Sequence, residues 1–586
     1  MNIVVVVGVI ITVITAIPVL IQLRSHPRGL FVLFFAEMWE RFSYYGMRGL
    51  LIFYLTQHFL FDDTFSQGQY ASYTTLVYLL PLVGGVVADR WLGTRKAIAF
   101  GALLLVAGHL MMAVEGRPAT QTLGYEGRVY TFEAEGRQSA RTVCLRVDRG
   151  CYPVSAAPDG GLAIPDLPAG ASLPKVLPEG AYTIAVTDRS PFFVNIFYLA
   201  LSLIVMGVGY LKANISSIVG QLYPPGDVRR DPGFTLYYYG INLGAFWASV
   251  LCGLLGQTVG WWAGFGLAGI GMLAGLVVFV RGRPLLEGHG EPPDPERLKG
   301  PVLGPLNLET VLYLGGFVGV AVVWVLVRHY ALMGAMQLLG WGLILGYLGW
   351  FMARKCDRIE RDRLLLALVL IFASVVFFTL FEQAGSSLNQ FAQRNVDLPN
   401  AGFMTVTPAQ TQSFNAGFIL IFAPAFAWLW QVLGRKNAEP NPAVKFGLGL
   451  VQAGLGFLLL VWGASFADAS YRTPMLFLGL AYLLHTTGEL CLSPVGLSEM
   501  TKLSPPALIS TVMATWFLAS SAAQYLAGIV ARFTASETVA GQVLDPARAL
   551  ATYVSVFQGI GWGGVACGVL LLAASPWLKK LAHGVK

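Results

Sequence analysis

The chain has 586 residues, of which 55% are hydrophobic and only 12% charged, about half the charge of an average soluble domain. That balance excludes an ordinary soluble protein: apolar runs of about 20 residues recur along most of the length, and each can span a bilayer. The net charge of +7 is no nucleic-acid signal, because the basic residues sit in short loops beside apolar runs, as cytoplasmic loops do.

Residues 2–23 form an apolar run with Arg24, His26 and Arg28 behind it. Because the charges follow the run, an extra N-terminal helix is expected rather than a cleaved signal peptide, with Met1 outside and Arg24 inside. Helix one of the core covers 30–58. Residues 61–69 hold two acids and no Lys or Arg and read as an outside loop. Helix two spans 70–87 and ends in GGVVADRWLGTRK, whose Arg90, Arg95 and Lys96 mark an inside loop. Helix three covers 97–114.

Residues 116–190 break the pattern. Runs such as GRVYTFEA, TVCLRV and AYTIAV alternate with Gly, Pro and Asp clusters, which predicts strands joined by turns. We read a small β-domain inserted between helices three and four, outside the membrane. Cys144 and Cys151 fall within it, and an oxidising compartment would permit a disulfide between them. The plain expectation for the domain is a decorated loop with no transport role. The other four cysteines, Cys252, Cys356, Cys491 and Cys567, lie in or beside apolar segments and read as packing residues.

Helix four, 192–223, carries Lys212 well inside its span. Arg229 and Arg230 follow in an inside loop. Helices five and six cover 235–256 and 261–280. A basic, Pro-rich connection over 281–304 is inside. Apolar runs over 308–327 and 331–352 form a hairpin without a polar face, peripheral to any pathway. The second half then repeats the first, with helices seven to twelve at 364–393, 411–433, 443–466, 474–497, 508–533 and 551–576. Inside loops hold Arg435, Lys436, Lys502, Lys579 and Lys580, whereas outside loops hold few cations, such as Arg394 and Arg472.

Six helices, a connection with a hairpin, then six more is the layout of two parallel repeats in a major-facilitator transporter. The fold class expected is therefore an all-α integral membrane protein of that fold. An extra N-terminal helix (1–28) precedes an N-terminal six-helix bundle (29–283) that the 116–190 β-domain interrupts. A linker with the hairpin (284–363) leads to the C-terminal six-helix bundle (364–586).

The chain is organised around AEMWERFSYYGMRGLL in helix one. Glu40, Arg41, Tyr44, Tyr45 and Arg48 lie 3, 4, 7, 8 and 11 residues after Glu37, offsets that share one helical face. The stripe is about 16 Å long, roughly half a bilayer core. A charge at mid-membrane costs about 3 kcal/mol even on the mild insertion scale, so four facing lipid would cost about 12 kcal/mol. The stripe must face protein or water. Ion pairs that merely fix helix packing seldom need four charges and two tyrosines together.

At these residues the chain resembles the proton-dependent oligopeptide transporters, from about residue 29 to 576. The motifs are EMWERFSYYGMRGLL in helix one, GGVVADRWLGTRK after helix two, GVGYLKANISSIVGQLY in helix four and YYYGINLGAF in helix five. In the second half they are FFTLFEQAGSSLNQF, QSFNAGFILIFAPAFAWLW, GELCLSPVGLS and TWFLASS. The resemblance implies proton-coupled symport of di- and tripeptides by a bacterial inner-membrane monomer, with protons as coupling ion and no cofactor or metal. The C-terminus would be cytoplasmic.

A free peptide is a zwitterion, so its site needs a cation and an anion set apart. Arg41 and Lys212 can hold a carboxylate, and Glu489 can hold the ammonium. The resemblance assigns these same roles, and implies that Tyr44, Tyr45, Tyr78, Asn242, Asn415, Trp516, Phe517 and Ser520 line the cavity. It pairs Arg48 with Glu382 as an outer gate. Glu37, Glu40, Arg41 and Lys212 are the proton-coupling set, in which substrate competes with the two acids for the two cations.

The chain departs from the family where some relatives carry a His on helix two: here that position is Ala71. Phe378 and Phe381 stand beside Glu382 where many relatives have an aromatic and a second acid. His485, one turn before Glu489, reads first as a packing residue, and His58 and His109 more so. The competing readings are a carrier of the same fold for nitrate or a peptide-like drug, and a membrane sensor with the β-domain as receptor. A nitrate carrier would not need Glu489. An enzyme is not expected, for no nucleophile–base set, metal spacing or phosphate loop stands out.

Overall fold

The computed structural model describes residues 2–137, 141–224 and 226–584; Met1, expected outside the membrane, is not among them. Helix α1 (Ile3–Leu23) starts at Asn2, whose side chain caps the amide of Val4. Helix α2 (Arg28–Phe53) begins after Pro27 and runs on through a π-helical turn, Tyr54–His58. Helix two begins seven residues earlier than its apolar pattern predicts, as α3 (Asp63–Leu79). The side chain of Asp62 caps it, accepting from the amide of Phe65, as a helix-start Asp does. The first turns are polar because Ser66, Gln67 and Gln69 are buried against other helices rather than exposed to lipid. A short α4 (Pro81–Val87) and a π-helical turn, Ala88–Leu92, complete this span. Helix α5 (Thr94–Met112) follows.

The insertion forms strands β1 (Thr120–Tyr125), β2 (Arg128–Glu135), β3 (Thr142–Val147), β4 (Gly150–Pro153), β5 (Ser155–Ala156), β6 (Leu162–Ala163), β7 (Val176–Leu177) and β8 (Thr183–Thr187). One antiparallel sheet has the order β4-β3-β2-β1-β8, and a smaller one has β5-β6-β7. Val143, Leu145 and Val147 are buried in β3, the alternation of a strand with one covered face. A disulfide joins Cys144 to Cys151 across β3 and β4.

Helices α6 (Pro191–Gln221), α7 (Arg230–Thr258) and α8 (Trp261–Arg281) complete the first bundle. The connection contains α9 (Pro295–Lys299) and a two-stranded ribbon, β9 (Pro301–Leu303) with β10 (Leu306–Asn307). Helices α10 (Leu308–Val327) and α11 (Tyr330–Arg354) come next. In the second bundle α12 (Arg358–Phe381) breaks into a 3-10 turn, Glu382–Gly385, before α13 (Ser387–Arg394). Strand β11 (Val396–Asp397) leads on to α14 (Ser413–Arg435) and α15 (Pro442–Ala464). Strand β12 (Thr473–Pro474) pairs in parallel with β11. Then come α16 (Met475–Leu503), α17 (Ile509–Arg532), a ribbon of β13 (Thr538–Val539) and β14 (Gln542–Val543), and α18 (Pro546–Leu581).

Fourteen helical segments among the described residues are long and apolar enough to cross a membrane. Helix α2 is not one of them, because its five charges lower its hydropathy, yet most of it is buried among the others. The chain is a multi-pass membrane protein.

The two bundles meet along two seams, α3 against α17 and α7 against α14. An extra helix lies over each seam. Helix α1 packs on both α7 and α14, with Thr12 accepting from the indole of Trp247 at 2.9 Å. At its start Asn2 donates to the carbonyl of Thr405 at 2.5 Å. At the other seam α10 leans on α6, and α11 leans on α17. The expectation that this hairpin lacks a polar face needs correction: Gln337 of α11 is buried and donates to Ser521 of α17 at 2.7 Å. A buried amide needs such a partner, so α11 is keyed to the second bundle at one position.

The seams are shut at the end bearing the β-domain. Gln67 donates to Gln390 at 2.6 Å, and Asn389 donates to the carbonyl of Gly49 at 2.9 Å. The β-domain takes part, because Val539, Ala540 and Leu544 of the second bundle are buried in its core.

Candidate functional site

Helix α2 places its charges as the helical spacing requires. The Nε of Arg41 donates to Oε1 of Glu37 at 2.8 Å and lies 3.1 Å from Oε2 of Glu40. The donor hydrogen is taken by Glu37, so both oxygens of the fully buried Glu40 are left without a hydrogen-bond partner. Lys212 approaches from α6. Its ammonium stands 3.7 Å from the centre of the Tyr78 ring, a cation–π contact. Among the described residues no carboxylate lies within ion-pair distance of it.

Further along α2, the Nε of Arg48 donates to the hydroxyl of Tyr70 at 2.7 Å, and its Nη2 donates to Glu382. The break after α12 makes this possible, because Glu382 opens the 3-10 turn that carries it toward the first bundle. Gly385 closes the turn. A Cβ there would collide with the Tyr70 hydroxyl and the Arg48 guanidinium, so only glycine permits this approach.

The second bundle supplies a carboxylate. The amide of Asn415 on α14 donates to Glu489 Oε2 at 3.3 Å and to Thr486 at 3.0 Å. No cation among the described residues lies within ion-pair distance of Glu489. Glu489 and Asn415 share a cavity of about 120 Å³ with Tyr45, Arg48, Asn242 and Gln412. The cavity walls therefore come from both bundles, with a guanidinium already bound to its own carboxylate and one carboxylate still open.

Several residues expected to line the cavity sit elsewhere. Tyr44 is buried, with its hydroxyl unpartnered. Adjacent helical residues point about 100° apart, so Tyr45 can face the cavity only if Tyr44 turns into the bundle. The Trp516 ring is packed on Gly496 of α16, and Ser520 donates back to the carbonyl of Trp516 at 3.1 Å. Phe517 is half-buried and is not among the cavity's walls. Arg41, Lys212 and Tyr78 lie beside the acid pair rather than on the cavity wall.

Three contributors escaped the sequence reading. Gln412, whose buried Nε2 has no partner, begins the QSFNAGF motif and could have been found there. Tyr238 on the cavity wall is the middle tyrosine of YYYGINL. Asp63 was hidden in a stretch read as a loop. His485 lines the cavity while its Nε2 lies 3.1 Å from the carbonyl of Ala453. His58 is stacked on Tyr54 and His109 is buried among apolar side chains. Ala71 touches Gly528 of α17, which leaves no room for a larger ring.

Residues 95–546 match the model of the family described as PTR2, POT family. The chain is 32% identical over 571 residues to the uncharacterized transporter YclF of Bacillus subtilis (strain 168), covering 96% of each. It is 30% identical over 562 residues to dipeptide and tripeptide permease B of Xenorhabdus bovienii (strain SS-2004), covering 96% of this chain and 97% of that one. Its fold is similar to that of peptide transporter POT crystallised in complex with sulfate, with a TM-score of 0.69, 31% identity, and 95% and 96% of the two chains covered.

Proposed function

The chain belongs to the POT family, and from that premise we propose that it carries di- and tripeptides into the cell together with protons. The observation that carries this reading is Glu489: a carboxylate on a cavity wall that accepts from the Asn415 amide and, among the described residues, has no cation within ion-pair distance. It is a seat for a peptide ammonium. A nitrate carrier would have no use for it. Asn242, Asn415 and Gln412 offer hydrogen bonds to peptide groups without selecting a side chain. Arg41 and Lys212 take the peptide carboxylate.

Glu40, with both oxygens buried and unpartnered, is the seat of the transported proton, and Glu37 shares Arg41 with it. When a peptide carboxylate takes Arg41, Glu37 loses its cation and holds a proton instead. Arg48 and Glu382 form the gate that joins the bundles. One chain supplies both sides of the cavity, so a monomer suffices. The C-terminus is cytoplasmic and the β-domain lies outside the bacterial inner membrane, a reading that the basic loops support, and the outer side of the carrier is shut.

The deciding experiment is uptake of labelled dialanine into proteoliposomes holding the purified protein, with and without an inward proton gradient. The expected result is gradient-dependent accumulation competed by other di- and tripeptides. Absence of both accumulation and counterflow would overturn peptide transport. Counterflow without gradient-driven accumulation would overturn proton coupling alone.

A further inference from the structure

A second cavity lies where the helical bundles meet the β-domain. Its volume is about 300 Å³, and Gln57, Glu115, Arg137, Arg141, Trp261 and Ala540 are among its walls. Four parts of the chain meet there: the turn that ends α2, the α7–α8 junction, the β-domain with the segment that leads into it, and the ribbon β13–β14 from the second bundle.

The cavity is rich in donors. Arg141 spends Nη2 on the carbonyl of Ala540 at 2.5 Å and Nη1 on Oε1 of Gln57 at 3.4 Å. Its Nε is buried with no partner. Gln57 is only 7% exposed, and its Nε2 is also without a partner. Natural proteins rarely leave buried donors empty unless a ligand, ion or ordered water fills them. Arg137 is exposed at the rim and adds a second guanidinium.

The charge is unbalanced. Among the described residues Glu115 is the one carboxylate on the cavity wall, and its Oε2 already accepts from the backbone amide of Trp262 at 3.0 Å. Burial raises the Glu115 carboxyl above its usual range. Burial, with Arg137 nearby, pulls the Arg141 guanidinium down to about 10, the response of a cation lacking a counter-ion. A cation ligand is excluded by two arginines, and an apolar ligand would leave both orphan donors unmet.

We propose that this cavity is an oxyanion-binding site, in which Arg141 Nε and Gln57 Nε2 donate to a carboxylate or to a phosphate- or sulfate-type anion at the rim of the β-domain. A guanidinium recognises such planar or tetrahedral oxygens by paired donation. The occupant is either the free carboxylate of a peptide or an inorganic oxyanion; the chemistry at Arg141 is the same.

The test uses the purified full-length protein and titrates sodium sulfate, sodium acetate and dialanine against sodium chloride at matched ionic strength, with affinities read by calorimetry. At least one oxyanion is expected to bind saturably. Arg141→Gln is expected to weaken it at least tenfold and Gln57→Leu several-fold, whereas Arg128→Gln, at an exposed arginine of β2 outside the cavity wall, leaves it unchanged. Loss in acetate and dialanine alike identifies a peptide carboxylate, and loss in sulfate alone identifies an inorganic anion. Thermal unfolding in chloride shows whether each variant is folded, and the two variants provide independent checks. Three results would overturn the proposal: no saturable binding above chloride, wild-type binding by both Arg141→Gln and Gln57→Leu, or an equal loss of binding in Arg128→Gln. Because the readout is binding, failure of peptide transport would leave this result standing.

Discussion

Asp63 at the start of α3 holds Arg394 at the end of α13 through two bonds, 2.6 Å from Nη1 to Oδ2 and 2.8 Å from Nη2 to Oδ1. The two residues come from opposite bundles and both are deeply buried. Asp63 also accepts from the backbone amide of Ser536 at 2.9 Å and from Gln390 at 3.3 Å. Its carboxylate therefore ties together two segments of the second bundle, α13 and the stretch after α17, at the end that carries the β-domain.

Removing one partner of a buried pair costs about 3–5 kcal/mol, and here that cost falls on the shut state. Asp63→Asn and Arg394→Gln should each reduce dialanine uptake at least tenfold. The swapped double variant Asp63→Arg/Arg394→Asp should recover only part of the loss, because the Ser536 amide would then face a guanidinium. Full recovery in the uptake assay would mean that the pair acts by charge alone.

Arg48 bonds Tyr70 and Glu382 with different nitrogens of one fork. A lysine keeps the charge but is a point donor on a flexible stem. Arg48→Lys should therefore lose transport about as severely as Glu382→Gln. If Arg48→Lys keeps most of its uptake, the bidentate geometry is not needed.

Glu37 and Glu40 are both within reach of Arg41, but only Glu37 has its hydrogen bond. Glu40→Gln should abolish accumulation under a proton gradient and spare counterflow. Glu37→Gln should do the same and also strengthen peptide binding, since Arg41 is freed. Equal survival of both activities in either variant would remove that acid from the coupling set.

Loss of a charged hydrogen bond is worth about 1.5–3 kcal/mol, roughly 10- to 150-fold in affinity. Glu489→Gln should weaken dialanine binding by that factor. An N-acetylated dipeptide lacks the ammonium, so wild type and Glu489→Gln should bind it equally. A similar loss for both ligands would show that Glu489 supports the cavity wall and does not read the amine.

The helical stripe from Glu37 to Arg48 was legible in the sequence because charge in an apolar span is costly wherever it faces. Lys212, Glu382 and Glu489 stood out for the same reason. The start of α3 was not legible. Its Ser, Gln and Asp residues look like a loop when read against lipid, and they are helical because they face Gln390 and Arg394 across a seam. Which face Trp516, Phe517 and Ser520 turn to the central cavity was not legible, since the rotation of α17 about its axis depends on its contacts with α3, α11 and α12.

The sequence by itself determined the membrane class, the two-bundle layout, the inserted β-domain and the residues that carry charge into the span. Burial cost and hydropathy act locally, so they are written residue by residue. Only the tertiary structure decided which charges meet. It gave Arg41 to Glu37 while leaving Glu40 without a hydrogen bond, left Glu489 with no cation within ion-pair distance among the described residues, and laid α1 and the α10–α11 pair over the two seams. Those outcomes depend on contacts between helices far apart in the chain, set by shape and side-chain volume across interfaces that no local pattern encodes.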